Sequence, residues 1–309
     1  MTLDIKSASI LIECVRRGSL GRAASALNLT QPAVTRVIRL LEASYGVPLF
    51  ERNTRGVVPT IYGEALLPYA KLLVSEAGNA SDLIKQMRGA SRGVVRVGGV
   101  SSVVGGLLVS AIREMRQQYP EVQFRIVEEL EDRLLEGLKS GEIDLAISPE
   151  PYADDEIALA IPDALHDVVF VYTRADNPLL EKTELSLNEV ARQNWALPPT
   201  DTPIVREWLR RFHSQAIEPN PPTIVSRSVQ VIKSAAMTDD VLCWMPMPLV
   251  ASEVKRGELG RVQVPALEWR RTFRVYRRKK GMMPPSVAIL IQFIRRTAGH
   301  NWAEDVRQS

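Results

Sequence analysis

The sequence predicts a mixed α/β protein that opens with a small helical unit and a hairpin, runs into one long helix, and ends in a larger region of alternating strands and helices. Three observations carry this. The first sixty residues set apolar side chains at helical spacing between good capping residues. Residues 60–87 sustain one apolar stripe at helical spacing across Pro68. From Val94 onward, short β-branched runs alternate with amphipathic stretches, the texture of a parallel sheet flanked by helices.

Each element has a local cause. Residues 4–17 form an amphipathic helix that stops at Gly18. Ser19 caps a second helix through Ala23, Ala24 and Leu27. Asn28-Leu29 makes a turn, and Thr30 caps a third helix with Pro32 in its first turn, where a missing N–H costs nothing. Val34, Ile38 and Leu41 give that helix its apolar face, and Gly46 ends it. Leu49–Arg52 and Gly56–Pro59 read as a hairpin turning at residues 53–56. Thr60 then caps the long helix, whose stripe is Leu66, Leu67, Ala70, Leu73, Val74, Ala77, Ile84 and Met87. Pro68 inside it is expected to bend or weaken it. Gly89–Gly93 reads as a linker. Strands are expected at 94–97, 122–127, 145–147, 168–172, 223–225, 241–244 and 273–276. Helices are expected at 105–117, 131–139, 203–215, 228–236, 247–255 and 286–296.

A chain of 309 residues suggests two or three domains. No apolar run approaches the ~18 residues needed to span a bilayer. The N-terminus lacks a basic segment followed by an apolar one, so the reading is a cytoplasmic protein with no membrane partner. Two cysteines, Cys14 and Cys243, cannot build a disulfide framework. The charge is uneven. Residues 1–92 hold 12 Lys and Arg against 7 Asp and Glu, whereas residues 93–309 hold 27 against 29. A basic leading segment on a near-neutral remainder suits a polyanionic partner.

One motif is specific. Gly18-Ser19, Ala23-Ala24, Leu27, Thr30-Gln31-Pro32-Ala33-Val34-Thr35-Arg36, Leu41-Glu42, Gly46, Leu49-Phe50, Arg52, Thr60 and Gly63 stand in one order and spacing. Together they resemble the DNA-binding end of the LysR-type transcriptional regulators, with Thr35 where that family often has Ser. The resemblance is dense over residues 4–63 and looser beyond. It implies a winged helix-turn-helix over residues 1–60 that binds double-stranded DNA. In such a motif the second helix enters the major groove with its N-terminal residues on base edges. Here those are Gln31, Thr35 and Arg36, set among Thr30, Pro32 and Ala33. Gln pairs with adenine, Arg with guanine, and a Thr methyl touches thymine. Arg39, one turn on, is placed for phosphate, while Arg52 and Arg55 flank the wing turn for backbone or minor-groove contact.

The resemblance further implies that residues 61–92 form a linker and dimerisation helix with a hinge. The stripe on that helix exceeds what its own small domain is expected to cover, which also favours a homodimer. The family implies pairing of dimers into a homotetramer, and RNA polymerase is a partner that such a role allows. Residues 93–309 would form a two-lobed, periplasmic-binding-protein-like sensor domain, lobe I at about 93–163 and 269–309 and lobe II at about 164–268, with a small-molecule effector between the lobes. Ligands of open α/β sheets bind beyond the carboxyl ends of strands. The residues at such ends are Ser101, Ser102, Ser148, Thr202, Arg227, Ser228 and Trp244. The Ser101-Ser102 hydroxyls at a helix start suit an anionic effector, and they equally suit plain N-capping. Thr238–Trp244 stands where the family often has a Gly-rich approach, so a ligand pose does not carry over.

No cofactor is implied. His166, His213 and His300 are scattered, none with a metal-ligand partner at helical spacing. The Gly98-Gly99 and Gly105-Gly106 pairs form neither a dinucleotide fingerprint nor a phosphate loop. Cys14 reads as core. Cys243 has no resolving cysteine for a redox role. The basic run Arg274, Arg277, Arg278, Lys279 and Lys280 reads as a solvated strand and turn. The rival functional class is an enzyme on a two-lobed α/β domain that uses the helix-turn-helix for interaction. No paired acid, base or nucleophile supports it. A purely architectural DNA binder would not need the large second part.

Overall fold

Asp4 starts the first helix, α1 (Ile5–Arg17). Its carboxylate accepts the Ser7 amide at 2.7 Å, and its own amide donates to the Ser7 hydroxyl at 2.9 Å. The Ser7 hydroxyl and amide together hold the Asp4 carboxyl below its usual pKa. The computed structural model describes residues 2–53, 56–87, 93–149 and 154–299. Most of the expected linker at 89–93 therefore lies outside the described residues, as does His300. Helix α2 (Leu20–Ala26) is capped by Ser19, and α3 (Gln31–Tyr45) by Thr30. Asn28 makes the turn between them at φ +54, a left-handed geometry that asparagine tolerates. Strands β1 (Phe50–Asn53) and β2 (Gly56–Pro59) form the antiparallel wing, with Phe50 opposite Pro59.

These elements close over one apolar core of Ile10, Leu11, Cys14, Val34, Ile38, Leu41, Leu49 and Val57. The Glu42 carboxylate ties α3 to the wing by accepting the Leu49 amide at 2.9 Å. Gly56 lies at φ +138, and a Cβ there would stand 2.1 Å from the Gly18 carbonyl oxygen, the same oxygen that accepts the Val57 amide at 3.0 Å. The wing therefore seats directly on the end of α1.

Helix α4 (Ile61–Met87) passes Pro68 without interruption. Pro68 is solvent-exposed, where the carbonyl it leaves without a helical partner can meet water. The expectation that α4's stripe lies uncovered by its own domain is corrected for the first half. Ala70 is fully buried, and Leu66, Leu73 and Val74 pack on the same core as α1. Gly63 fits under the Leu49 carbonyl, where a Cβ would approach within 2.2 Å. Gly63→Ala is expected to destabilise the winged-helix core by about 1–3 kcal/mol, because backbone must move. A urea midpoint equal to the wild type would refute this packing.

The chain divides into two compact units. The first holds residues 1–100, 114–162 and 275–292. Beyond α4 it contains β3 (Val94–Gly99), β4 (Gln123–Glu128), α7 (Glu131–Lys139) and β5 (Leu145–Pro149). Strand β3 lies between β4 and β5, parallel to both, and Leu134, Leu138, Ile143 and Ala146 pack beneath. Two helical pieces, α5 (Ser101–Val103) and α6 (Val109–Gln118), are joined by a π-helical turn at Val104–Leu108. That helix starts earlier than its sequence suggests.

The second unit holds residues 101–113, 163–274 and 293–309. Two strands contribute residues to both units, β6 (Ile157–Arg174) and β11 (Trp269–Arg278), and α6 and α12 (Pro285–Gly299) do likewise. Its strand order is β6, β9 (Leu242–Pro246), β7 (Trp195–Leu197) and β8 (Ile224–Val225), with β10 (Leu259–Val262) also on β6. Helices α8 (Leu187–Ala191), α9 (Pro203–His213), α10 (Val229–Thr238) and α11 (Met247–Lys255) pack around it. The core is aromatic: Trp195 and Trp208 meet edge to face at 5.2 Å, and Trp208 and Phe212 at 4.8 Å.

Candidate functional site

Helix α3 is apolar on one side only. Val34, Ile38 and Leu41 face the core, which turns Gln31, Thr35 and Arg39 into one outward row and Pro32, Arg36 and Leu40 into the next. These six residues line one shallow depression. Arg36 and Arg39 are exposed and have no ion-pair partner among the described residues, whereas Arg16 and Arg17 are held by Glu13. Leu40 is 44% exposed and lines the same depression. Sequence reasoning passed over it because its spacing reads as core. The Gln31 amide group leans on α2, its Oε1 being 3.4 Å from where a Gly21 Cβ would be. Thr30 spends its hydroxyl as the cap, accepting the Ala33 amide at 3.4 Å. Arg52 lies on β1; its side chain, and Arg55 altogether, fall outside the described residues.

In the second unit, β8 and β9 both run parallel to β7, so their carboxyl ends share one edge. The loops there carry Asp201-Thr202 and Arg227-Ser228. An ion pair between Arg227 and Asp201 joins the two loops. Ser228 caps α10 through the Val231 amide, while the Thr202 hydroxyl donates to the Pro199 carbonyl at 2.7 Å and makes no cap bond. Trp244, expected to face an effector, is a core residue instead. It is 1% exposed, stacks on Trp269 at 5.5 Å, and donates its indole N–H to the Leu267 carbonyl at 2.7 Å. Ser148 is fully buried in the first unit.

Ser102 is 2% exposed, and its hydroxyl accepts from the Arg271 guanidinium at 2.7 Å. Arg271 also grips the completely buried Asp167 with two hydrogen bonds, Nε to Oδ1 being 2.7 Å. The guanidinium rests 5.0 Å from the Phe273 ring centre. This triad, two of its members buried and Arg271 half-buried, has no signature in the sequence. Ser101, Ser102, Thr202, Arg227 and Ser228 all belong to the second unit.

Burial pushes both thiols up to about 12, Cys14 with help from Glu13. Neither should react with a disulfide reagent at pH 8 until the protein unfolds. Rapid stoichiometric labelling of the native protein would contradict this. Among the described residues no cluster of His, Cys, Asp and Glu could hold a metal ion, and no helix is long and apolar enough to cross a membrane.

A family model described as "Bacterial regulatory helix-turn-helix protein, lysR family" matches residues 5–64, and one described as "LysR substrate binding domain" matches residues 88–299. The chain belongs to the LysR family. As a LysR member it is a DNA-binding transcription regulator with an effector-binding domain. The HTH-type transcriptional regulator GalR of Pseudomonas putida is 28% identical over 270 residues, 86% of this LysR chain and 67% of that protein. CfxR of Cupriavidus necator is 27% identical, across 96% of this chain and 92% of that protein. A full-length OxyR variant of Pseudomonas aeruginosa has the same fold, with TM-score 0.71, 19% identity, and coverage of 96% and 95% of the two chains. Full-length CbnR, solved in complex with its target DNA, matches with TM-score 0.69, 20% identity, and coverage of 96% and 100%.

Proposed function

We propose that this LysR regulator reads its operator with the exposed face of α3 and changes its output when a small anionic effector binds the second unit. The observation that carries the first half is the pair of exposed guanidiniums of Arg36 and Arg39, without ion-pair partners among the described residues, beside Gln31 and Thr35. Gln31, Thr35 and Arg36 meet base edges, with Thr30, Pro32 and Ala33 at the groove entrance. Arg39 lies two turns beyond Gln31, about 12 Å along the helix and close to the width of the major groove, which brings it to a phosphate wall. Arg52 and Arg55 of the wing add backbone contacts. CbnR, a fold relative at 20% identity, was solved on its target DNA.

The effector reading rests on the common carboxyl edge of β7, β8 and β9, with Thr202, Arg227 and Ser228, and on Ser101-Ser102 at the start of α5 in the same unit. The structure gives Ser102 a second duty as the anchor of Arg271, so its hydroxyl acts on ligand affinity through that guanidinium. Residues 1–60, 61–92 and 93–309 then serve as reader, linker and sensor, working in the cytoplasm where bacterial DNA lies.

Self-association fits the exposed apolar residues. In the first unit Ile126 and Val127 lie on the edge strand β4 with Leu130 just after it, and Tyr62, Tyr69 and Ile84 project from α4; in the second unit Val225 and Val231 are exposed. A homodimer through α4, extended to a tetramer through the sensor, would cover them.

The test is genome-wide mapping of bound DNA followed by mobility shifts on the recovered fragments, with thermal-shift screening of small carboxylates and phosphates. Binding that is sequence-independent at every salt concentration would overturn the operator reading. A screen in which no small molecule raises the melting temperature would overturn the effector reading.

A further inference from the structure

Beyond Val74, α4 leaves the core of the winged helix, yet it is not bare. Residues 75, 76 and 79, with Lys71 one turn before them, each meet a partner from the effector-binding part of the first unit. The Ser75 hydroxyl donates to the Gly141 carbonyl at 2.6 Å. The Glu76 carboxylate pairs with the Arg278 guanidinium. Lys71 lies 3.0 Å from Glu142, and the Asn79 side-chain oxygen accepts from Arg96 at 3.3 Å. Arg96 is fixed in turn by Asp144, which accepts its amide at 2.8 Å.

The surrounding loops are shaped for this contact. Gly141 has φ +71, and a Cβ there would stand 2.9 Å from the Ser75 hydroxyl oxygen. Gly281 has φ +96, and its Cβ would stand 2.9 Å from Arg278 Nη2. Two left-handed glycines thus let two turns close around the Glu76–Arg278 pair. Arg278 itself is bent back, donating Nε to the Lys280 carbonyl at 2.9 Å. The expectation of a solvated basic run is corrected here. Arg278 has 17% of its side chain exposed, and its Nη1 is buried with no hydrogen-bond partner among the described residues.

These features make the contact specific without making it strong. A partly desolvated ion pair gains Coulomb energy but loses much of it to desolvation, and the unpartnered Nη1 adds to that loss. Such a contact fixes one geometry while remaining easy to release, whereas an apolar seam would not be.

We propose that Glu76–Arg278, supported by Ser75–Gly141 and Asn79–Arg96, is a polar latch between the linker helix and the effector-binding domain, closed in one state of the regulator and open in the other. It rests on the regulator reading in its second half only. A released α4 would turn the winged helix by a different lever arm and so alter the DNA segment it covers.

Hydrogen exchange of the full-length protein tests the latch. E76Q and R278Q should each speed exchange of amides 75–87 at least tenfold, with the amides of α3 unchanged. The charge-swapped double variant E76R/R278E should return protection to within threefold of wild type. Unchanged exchange in E76Q, or a swap no better protected than the single variants, would overturn the latch. If R278Q fails to fold, E76Q and the swap still decide. Nuclease footprints on a genomic fragment bound by wild type test the regulatory half. E76Q should alter the length of the protected segment and the swap should restore it; identical footprints would overturn the two-state role. Failure of wild type to bind any fragment would instead sink the regulator reading and leave the exchange result standing.

Discussion

Arg36→Ala is expected to weaken operator binding by about 1–3 kcal/mol, roughly 5- to 150-fold, and to relax the preference for one base pair. Arg36 occupies the second turn of α3, exposed and without an ion pair among the described residues, so a guanine edge would be its first bidentate partner. The removed side chain carries no core packing, and the melting temperature should stay that of the wild type. Arg39→Ala separates the two kinds of contact. It should weaken all sequences alike and reduce the slope of log affinity against log salt by about one. Mobility shifts on the wild-type site and on single-base variants give both quantities. If Arg36→Ala changes affinity equally for every variant site, Arg36 touches phosphate and the base-reading set shrinks to Gln31 and Thr35.

Arg271→Ala is expected to cost about 3–5 kcal/mol of stability, because it strips the counter-charge from a carboxylate buried in the second unit. Asp167 is fully buried and receives two bonds from Arg271, and Ser102 shares the same guanidinium. Removing both charges together should hurt less than removing one. The double variant Arg271→Met/Asp167→Leu should therefore recover a large part of the loss, a result that simple loss of packing would not give. Denaturant midpoints of the two single variants and the double variant form the cycle. A double variant as unstable as the sum of the singles would show that the pair is not coupled.

The legible part of this molecule was the part with local causes. Thr30, Pro32 and Gly46 start and stop α3 by their own chemistry, and Asn28 supplies the turn before it. The wing followed from the turn residues between β1 and β2 and from apolar Val57. The helices 131–139 and 247–255 fell where their apolar spacing put them, although neither Leu130 nor Pro246 before them caps through a side chain. Other features had no local cause. Strand β7 is three residues, too short for any period to show, and it is defined by its parallel neighbours. The part of β6 before the expected strand 168–172 holds Pro162, Asp163 and Asp167, polar and helix-breaking residues that gave no strand signal, and Asp167 fits there only because Arg271 pairs with it. That arginine lies 104 residues from Asp167 and 169 from Ser102. Within the basic stretch 270–280, nothing in the sequence distinguishes the ion-paired, half-buried Arg271 and Arg278 from exposed Arg270, Lys279 and Lys280. Trp244 departs from expectation for the same reason: its strand-end position suggested a ligand, while the Leu267 carbonyl that takes its N–H lies in a distant 3₁₀ turn.

The grip of α4 on its effector-binding partner sets a rule for building hybrid regulators. Joining the reader of one LysR protein to the sensor of another looks simplest at the single covalent passage between Met87 and Val94. A graft cut there would keep Glu76 and Ser75 from one parent and take Arg278 and Gly141 from the other. Unless the donor supplies an arginine and a glycine at matching places, the hybrid would carry an orphaned carboxylate against a foreign surface. Residues 75–79 should accordingly travel with the sensor, moving the junction back to the end of the winged-helix core at Val74. A hybrid made that way would inherit both the operator of one parent and the responsiveness of the other.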